Sequence, residues 1–296
     1  VSLPAFYRHA FTYPKLANNK ICHRTKIWLL ADVGPARSLF MHQFSNQWAL
    51  VTGSSSGIGW GVAQTLAKHK INLILQGLEA EDQLKDKIEN LKKQTGVKIQ
   101  YHSLDFSNSE LFQKFLSELP EHAILINNAG LQFVSPVQDF PIEKWELLLK
   151  LHLTIPFQLI QNFLKQKLQS GRIINISSVH GLVASVNKSA YVSAKHGLIG
   201  LSKTVALETA GTGVTCNSIC PGWVKTPLVE NQILDRSKKE NISFEQASIK
   251  LLEEKQPSKT FTEVSDIAEL VLFLCSPAGK NITGASMTLD GGWTSQ

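Results

Sequence analysis

From Gln47 onward, short apolar runs alternate with amphipathic stretches. The runs WALVT, INLIL, VKIQY, AILIN and RIINI have strand length and are rich in branched side chains. Between and after them, residues 57–69, 79–95, 108–119, 142–169 and 190–211 repeat apolar positions at helical spacing. Strand followed by helix, repeated, predicts a parallel sheet covered on both faces: an α/β, doubly wound, Rossmann-like single domain. VTCNSI at 214–219, a helix near 264–275 and a last strand near 285–289 complete the pattern. A polar stretch at about 225–260 is too long for an ordinary connection in a compact domain. A lid over substrate and a solvated surface insertion account for it equally well.

The expected domain spans 46–296. Residues 1–45 form an N-terminal extension without visible periodicity, for which the expectation is a disordered tail or a start-site artefact, since Met41 stands just before the first strand. An organellar targeting segment, which a basic, acid-poor composition also fits, ranks behind those readings. The same segment explains the charge. Of the net +6, residues 1–40 hold six bases against the single acid Asp32, which leaves +1 for the rest. A nearly neutral body gives no footprint for nucleic acid. The apolar run Ile27 to Val33 is far short of the roughly 20 residues of a membrane span, so neither nucleic acid nor membrane is an expected partner.

Cys22, Cys216, Cys220 and Cys275 show neither C-x-x-C spacing nor an accompanying histidine cluster. No metal site or disulfide framework is expected, and a reducing, cytoplasmic setting fits.

The first strand runs into Thr52-Gly53-Ser54-Ser55-Ser56-Gly57-Ile58-Gly59, and a helix follows. Glycines there let the backbone turn sharply and approach a pyrophosphate, while the helix start offers free N–H groups. A tight structural turn is the competing reading, weakened by the strand-to-helix placement. Cofactor choice is set near the end of the second strand, where the chain reads Gln76-Gly77-Leu78-Glu79-Ala80. No base stands there or in the glycine turn, and Glu79 repels a 2′-phosphate, so NAD is expected over NADP.

Tyr191 and Lys195 lie four apart at the start of a helix and share a face. A phenol ionises near pH ~10, and a neighbouring cation favours its anion. The two could be an ordinary helix start, but Ser178, at the end of the RIINI strand, lies where a parallel sheet gathers ligand-binding groups.

In order along about residues 46–296, Thr52–Gly59, Asn127-Asn128-Ala129-Gly130, Ser178, Tyr191/Lys195 and Pro221-Gly222 resemble the short-chain dehydrogenase/reductase family. The resemblance implies that Ser178 orients the substrate oxygen and Tyr191 is the acid/base. Lys195 would hold the nicotinamide ribose and lower the tyrosine pKa. It further implies that Gly53, Ser55, Gly57, Ile58 and Gly59 bind the dinucleotide and Asp105 meets the adenine. Asn127, Ala129 and Gly130 would support the cofactor, and Pro221, Val224 and Thr226 would hold the carboxamide. A homotetramer is implied as well.

Segments such as Ser178-Val-His180-Gly, Asn187-Lys188-Ser-Ala-Tyr191 and Cys220-Pro-Gly-Trp223 resemble the branch of the family acting on D-3-hydroxybutyrate. That implies reversible oxidation to acetoacetate, with the carboxylate gripped by Gln132, His180, Lys188 and Gln232 and apolar walls from Trp223 and Trp293. Read independently, Lys188 stands three residues before Tyr191, so charge-assisted bonds to a small carboxylate fit. Taken singly, Lys188 could be a solvated lysine, His180 a satisfied loop histidine, Gln132 a turn residue and Trp293 a seal for a subunit contact.

One position departs from the family. His152 stands where the family carries an Asn in the helix after strand 4, at a distortion whose backbone carbonyl holds a relay water. Pro156, four residues on, has no N–H to bind that carbonyl. The expectation is that the carbonyl stays free and that His152 serves the relay because it titrates near neutrality. The competing reading is that Pro156 only kinks the helix and His152 packs against it. Alternatives for function are a different small hydroxy acid, a 3-oxoacyl thioester, or a dinucleotide-binding protein that has lost catalysis at His152.

Overall fold

The structure, a computed structural model, describes residues 42–296. The expectation of an N-terminal extension falls almost wholly outside the described residues. Seven strands, β1 (Trp48–Val51), β2 (Asn72–Gly77), β3 (Ile99–Ser103), β4 (Ile124–Asn127), β5 (Gly171–Ile176), β6 (Val214–Pro221) and β7 (Ser286–Leu289), form one sheet. Their order is β3-β2-β1-β4-β5-β6-β7, with every pairing parallel.

The helices are α1 (Gly57–Lys68), α2 (Glu81–Thr95), α3 (Ser109–Glu118), α4 (Ile142–Leu149), α5 (Ile155–Lys165), α6 (Ser189–Glu208), α7 (Pro227–Glu240), α8 (Phe244–Glu253) and α9 (Val264–Cys275). Side chains alternate across a strand, and β1 divides the core accordingly. Ala49 and Val51 join Val62 and Leu66 of α1, Ile88 of α2 and Val271 of α9. Leu50 joins Phe112 and Phe115 of α3, Leu159 of α5 and Val205 of α6. With both faces covered, all residues of β2, β5 and β6 are buried; β2 and β5 therefore read as largely apolar runs, whereas β6 also buries Thr215, Asn217 and Ser218.

Two expectations change in detail. The stretch 142–169 is not one regular helix: α4 and α5 are separated by a π-helical turn over Lys150–Thr154, where the Ile155 N–H donates to the Lys150 carbonyl five residues back. Pro156 sits in the first turn of α5, directly after that π turn, and has no N–H to donate back into it. The polar stretch 225–260 folds as α7 and α8, packed on each other through Val229, Ile233, Ala247 and Leu251. Arg236 of α7 pairs with Glu240 within its own helix at 2.7 Å and reaches across to Glu254 at the end of α8 at 2.5 Å. The returning chain is stitched back by Thr262 N–H to the Trp223 carbonyl at 2.9 Å and Ser258 N–H to the Gly291 carbonyl at 2.9 Å.

At the amino end of the sheet, Arg172 of β5 is only 2% exposed. Its Nε donates to Leu274 O near the end of α9 at 3.0 Å, and its Nη1 donates to the Gly171 and Gly213 carbonyls. The Phe44 ring lies 5.1 Å from the guanidinium. A cation suits carbonyls at a helix C-terminus, and methionine would leave these acceptors without a donor. Arg172→Met is therefore expected to lower the unfolding free energy by about 2–4 kcal/mol. Urea unfolding checks this, and a change below about 0.5 kcal/mol, the scatter of neutral surface substitutions, would contradict it.

Candidate active site

The carboxyl ends of β1, β4, β5 and β6 open into a cleft of about 260 Å³. The turn after β1 forms one side. Gly53 and Gly57 have φ of +60° and +53°, conformations that favour glycine. A Cβ on Gly59 would stand 2.3 Å from the Gly53 carbonyl and 2.6 Å from Asn128 Nδ2. The turn is held from two neighbouring strands. Asn128 Nδ2 donates to the Thr52 and Gly53 carbonyls, both at 2.9 Å, and Gly53 N–H donates to Gln76 Oε1 at 3.0 Å. Ser56, which caps α1, makes no side-chain bond to the helix N–H groups, so the uncapped donors at the start of α1 face the cleft through Gly57 and Ile58. That cradle fits the pyrophosphate of a dinucleotide.

Ser178 follows β5 in extended backbone and caps a short turn, its Oγ accepting the His180 N–H at 3.2 Å. His180 Nδ1 lies 3.3 Å from that Oγ, and its Nε2 lies 2.9 Å from Ser185 Oγ. Tyr191 occupies the first turn of α6 and Lys195 the next. The Lys195 amine donates to the Ile176 carbonyl at 2.7 Å and lies 5.5 Å from the Tyr191 ring centre. Burial brings the Lys195 ammonium down to about 8. It pushes the Tyr191 phenol up to about 12, while a hydrogen bond with Ser178 pulls the other way. Burial is the larger of these two influences on the phenol.

His152 lies in the π turn, buried against Tyr191 with ring centres 5.0 Å apart. Its Nε2 is 2.6 Å from the Leu131 carbonyl, the separation of a donated hydrogen bond, and Nδ1 is buried without a partner. Desolvation, reinforced by Lys195, drives its pKa down to about 3. This corrects the expectation that His152 titrates near neutrality: a buried ring with a cation beside it stays neutral. His180 is likewise held down to about 3 by burial and by Lys188.

The cleft brings together Ser178, Tyr191, Lys195, His152, Gln132, His180, Lys188, Gln232, Trp223 and Trp293, together with Gly57, Ile58, Gly130, Pro221, Val224 and Thr226. Gly53, Ser55, Gly59 and Ala129 shape the turn behind it without lining it. Asp105 is exposed and accepts the Ser107 N–H, and the buried Asn127 side chain turns to Asn175 at 2.7 Å. Lys188 stands over the Trp223 ring at 5.3 Å. Trp223 and Trp293 pack 5.6 Å apart.

Sequence reading named Gln76 and Asn128 only within their motifs and missed Gln256, whose Oε1 accepts the Trp223 N–H at 3.0 Å. It also missed Lys87. This lysine of α2 reaches the glycine turn, donating to the Ser55 carbonyl at 2.7 Å, so a base from outside the turn and the end of β2 stands beside them. Among the described residues no group of three or more His, Cys, Asp or Glu is placed to hold a metal, and no helix is long and apolar enough to cross a membrane.

A sheet whose carboxyl edge gathers a dinucleotide cradle and a Ser-Tyr-Lys trio defines an oxidoreductase, and comparison with known proteins agrees. Residues 53–294 match a family described as enoyl-(acyl carrier protein) reductase. The chain is 46% identical over 255 residues to the D-beta-hydroxybutyrate dehydrogenase of Cupriavidus necator, covering 84% of this chain and 98% of that protein. It is 42% identical over 254 residues to the protein of the same name from Rhizobium meliloti, with coverages of 84% and 98%. L-sorbose reductase from Gluconobacter frateurii, solved with NADPH and L-sorbose, matches with a TM-score of 0.80 at 26% identity, covering 86% of this chain and 98% of that one. A 4-hydroxyisoleucine dehydrogenase mutant complexed with NADH and succinate matches with a TM-score of 0.73 at 28% identity, covering 84% and 99%. The chain belongs to the short-chain dehydrogenase/reductase family.

The neutral histidines carry a pH signature. Between the ordinary histidine value of 6.5 and the folded values near 3, the unfolded chain binds protons that the folded chain refuses. Stability from this source is fully present above pH 6.5 and is lost progressively as pH falls toward 3, at up to about 1.4 kcal/mol per pH unit for each histidine. His152→Asn is expected to flatten the fall of unfolding free energy below pH 6.5 by up to one such increment. Denaturant titrations from pH 7 to 5 measure it, and parallel curves for the two proteins would rule it out.

Proposed function

We propose that this enzyme reversibly oxidises D-3-hydroxybutyrate to acetoacetate with NAD. The observation that carries the reading is the charge of the cleft: its lining holds Lys188 and Lys195 and no aspartate or glutamate among the described residues. Lys195 is engaged by the Ile176 carbonyl. Lys188 has no hydrogen-bond or ion-pair partner among the described residues, and burial lowers its pKa. A half-buried, uncompensated cation favours an anionic ligand, held by charge-assisted bonds. Gln132 and Gln232 add uncharged donors, and the two tryptophans close the cleft beside Lys188, which suits a short acid. A thioester would leave Lys188 without a counter-charge. The names of the two dehydrogenase relatives point the same way.

A bound NAD supplies the hydride acceptor. Tyr191 in its ionised form, which the Lys195 cation beside it favours against burial, takes the hydroxyl proton of the substrate, and Ser178 donates a hydrogen bond to the oxygen that becomes the carbonyl. Lys195, held at about 8 by burial, can exchange a proton near neutral pH and so return Tyr191 to its starting state. Neutral His152 acts as a positioning residue, tying the Leu131 carbonyl, and with it the backbone leading to Gln132, to the helix beside Tyr191. The preference for NAD rests on Glu79, whose carboxyl is held below its usual range by the Ser55 hydroxyl and so stays charged against a 2′-phosphate. We read α7, which supplies Leu228 and Gln232 to the cleft, with α8 packed on it, as a lid over the substrate.

NAD reduction is expected with the D enantiomer of 3-hydroxybutyrate alone. Lys188→Met should raise KM for it by about 10- to 100-fold, the weight of one charged hydrogen bond, while kcat moves much less. Activity on neither enantiomer, or an unchanged KM in the variant, would remove this substrate and leave a dehydrogenase of another acid.

A further inference from the structure

The end of β2 and the glycine turn are clamped together. Gln76 Oε1 takes the Gly53 N–H, and Tyr101 Oη donates to the Glu79 carbonyl at 2.7 Å. A Cβ on Gly77 would lie 2.9 Å from both Ser55 Oγ and Tyr101 Oη. Glu79, twenty residues beyond Gly59, thus stands where a dinucleotide fold meets the adenosine ribose. The Ser55 hydroxyl is the strongest influence keeping its carboxylate ionised.

Lys87 arrives at the same place from α2. Its amine donates to the Ser55 carbonyl at 2.7 Å and lies 4.1 Å from the Trp60 ring centre. Both contacts leave hydrogen-bonding capacity on a three-donor ammonium. Among the described residues it forms no ion pair within 4.0 Å, with Glu79 or any other acid, although the two charges sense each other. The turn therefore carries a pinned cation and a pinned anion side by side without a closed salt bridge. A ribose 2′-hydroxyl needs only an acceptor such as Glu79, whereas a 2′-phosphate needs a base and no acid.

We infer that Lys87 and the Ser55 turn form a latent 2′-phosphate site that Glu79 alone keeps closed, so that one carboxylate sets the coenzyme choice. This rests on the reading of NAD as the coenzyme proposed above. Removing the Glu79 charge leaves the cation where it is, held by a backbone carbonyl and an indole face that the substitution does not touch.

The test titrates the purified full chain with NADH and with NADPH, following coenzyme fluorescence in the absence of any hydroxy acid. The wild-type ratio of the two Kd values reports the NAD preference, and its change on substitution reports the lock. Glu79→Gln is expected to tighten NADPH by about tenfold or more while NADH changes less, the scale of one charge-assisted contact. Adding Lys87→Met should abolish that gain, and Lys87→Arg in its place should keep it. An NADPH Kd within about twofold of wild type in Glu79→Gln would overturn the inference. So would a gain that survives Lys87→Met, or a Lys87→Met loss equal for both coenzymes, which would make Lys87 a brace for the turn rather than a phosphate ligand.

Discussion

The hydrogen bond from the Lys195 amine to the Ile176 carbonyl pins α6 against the carboxyl end of β5. Tyr191 stands one helical turn before Lys195, and Ser178 stands two residues after Ile176. Fixing this one contact therefore fixes the phenol relative to the hydroxyl. The Ser177 hydroxyl donates back to the Lys195 carbonyl at 3.3 Å. Gly181 permits the approach, since a Cβ there would meet Ser177 Oγ at 2.7 Å and the Lys195 carbonyl at 2.9 Å. Below, Asn127 Nδ2 donates to Asn175 Oδ1, Asn175 Nδ2 donates to Ser202 Oγ, and Ser202 meets Ser218. This buried seam joins β4, β5, β6 and α6, where low polarity strengthens each hydrogen bond, and it leaves Asn127 Oδ1 as an unpaired acceptor.

Burial then sorts the titratable groups. The two histidines nearest the trio lose their protons entirely at neutral pH, whereas Lys195 is brought into the range where it can exchange one. The π turn serves the same arrangement from the other side. It carries His152 to the Leu131 carbonyl, and a Cβ on Gly130 would lie only 2.1 Å from the imidazole Cε1. The glycine that ends the Asn-Asn-Ala-Gly stretch thus leaves the room that the imidazole fills.

The sheet and most helices were legible because a doubly covered parallel strand must be an apolar run and a covering helix must repeat its apolar positions. Ser178, Tyr191 and Lys195 were legible through strand-end placement and helical spacing. The π turn was legible only through the family resemblance, which implies a distortion at His152; the apolar recurrence of 142–165 passes through Leu151 and Ile155 without a break. His152 could be named as unusual, but its protonation depends on desolvation by chain segments distant in sequence, and residue type says nothing of that. Lys87 lies in a run of charged residues, EDQLKDKIENLKKQT, where any lysine reads as solvated. Only the packing of α2 beside α1 brings it 32 positions back to Ser55.

The lone cation in the substrate half of the cleft has a bearing on direction. On the proposed reaction the carboxylate is a spectator: hydroxy acid and keto acid both carry it, unchanged in charge and in distance from the reacting carbon. Lys188 therefore holds reactant, transition state and product alike, which is uniform binding. Such an anchor selects the substrate and leaves the internal equilibrium almost where solution chemistry puts it. A protein built this way runs readily in either sense, and its net flux follows the supply of acid and coenzyme.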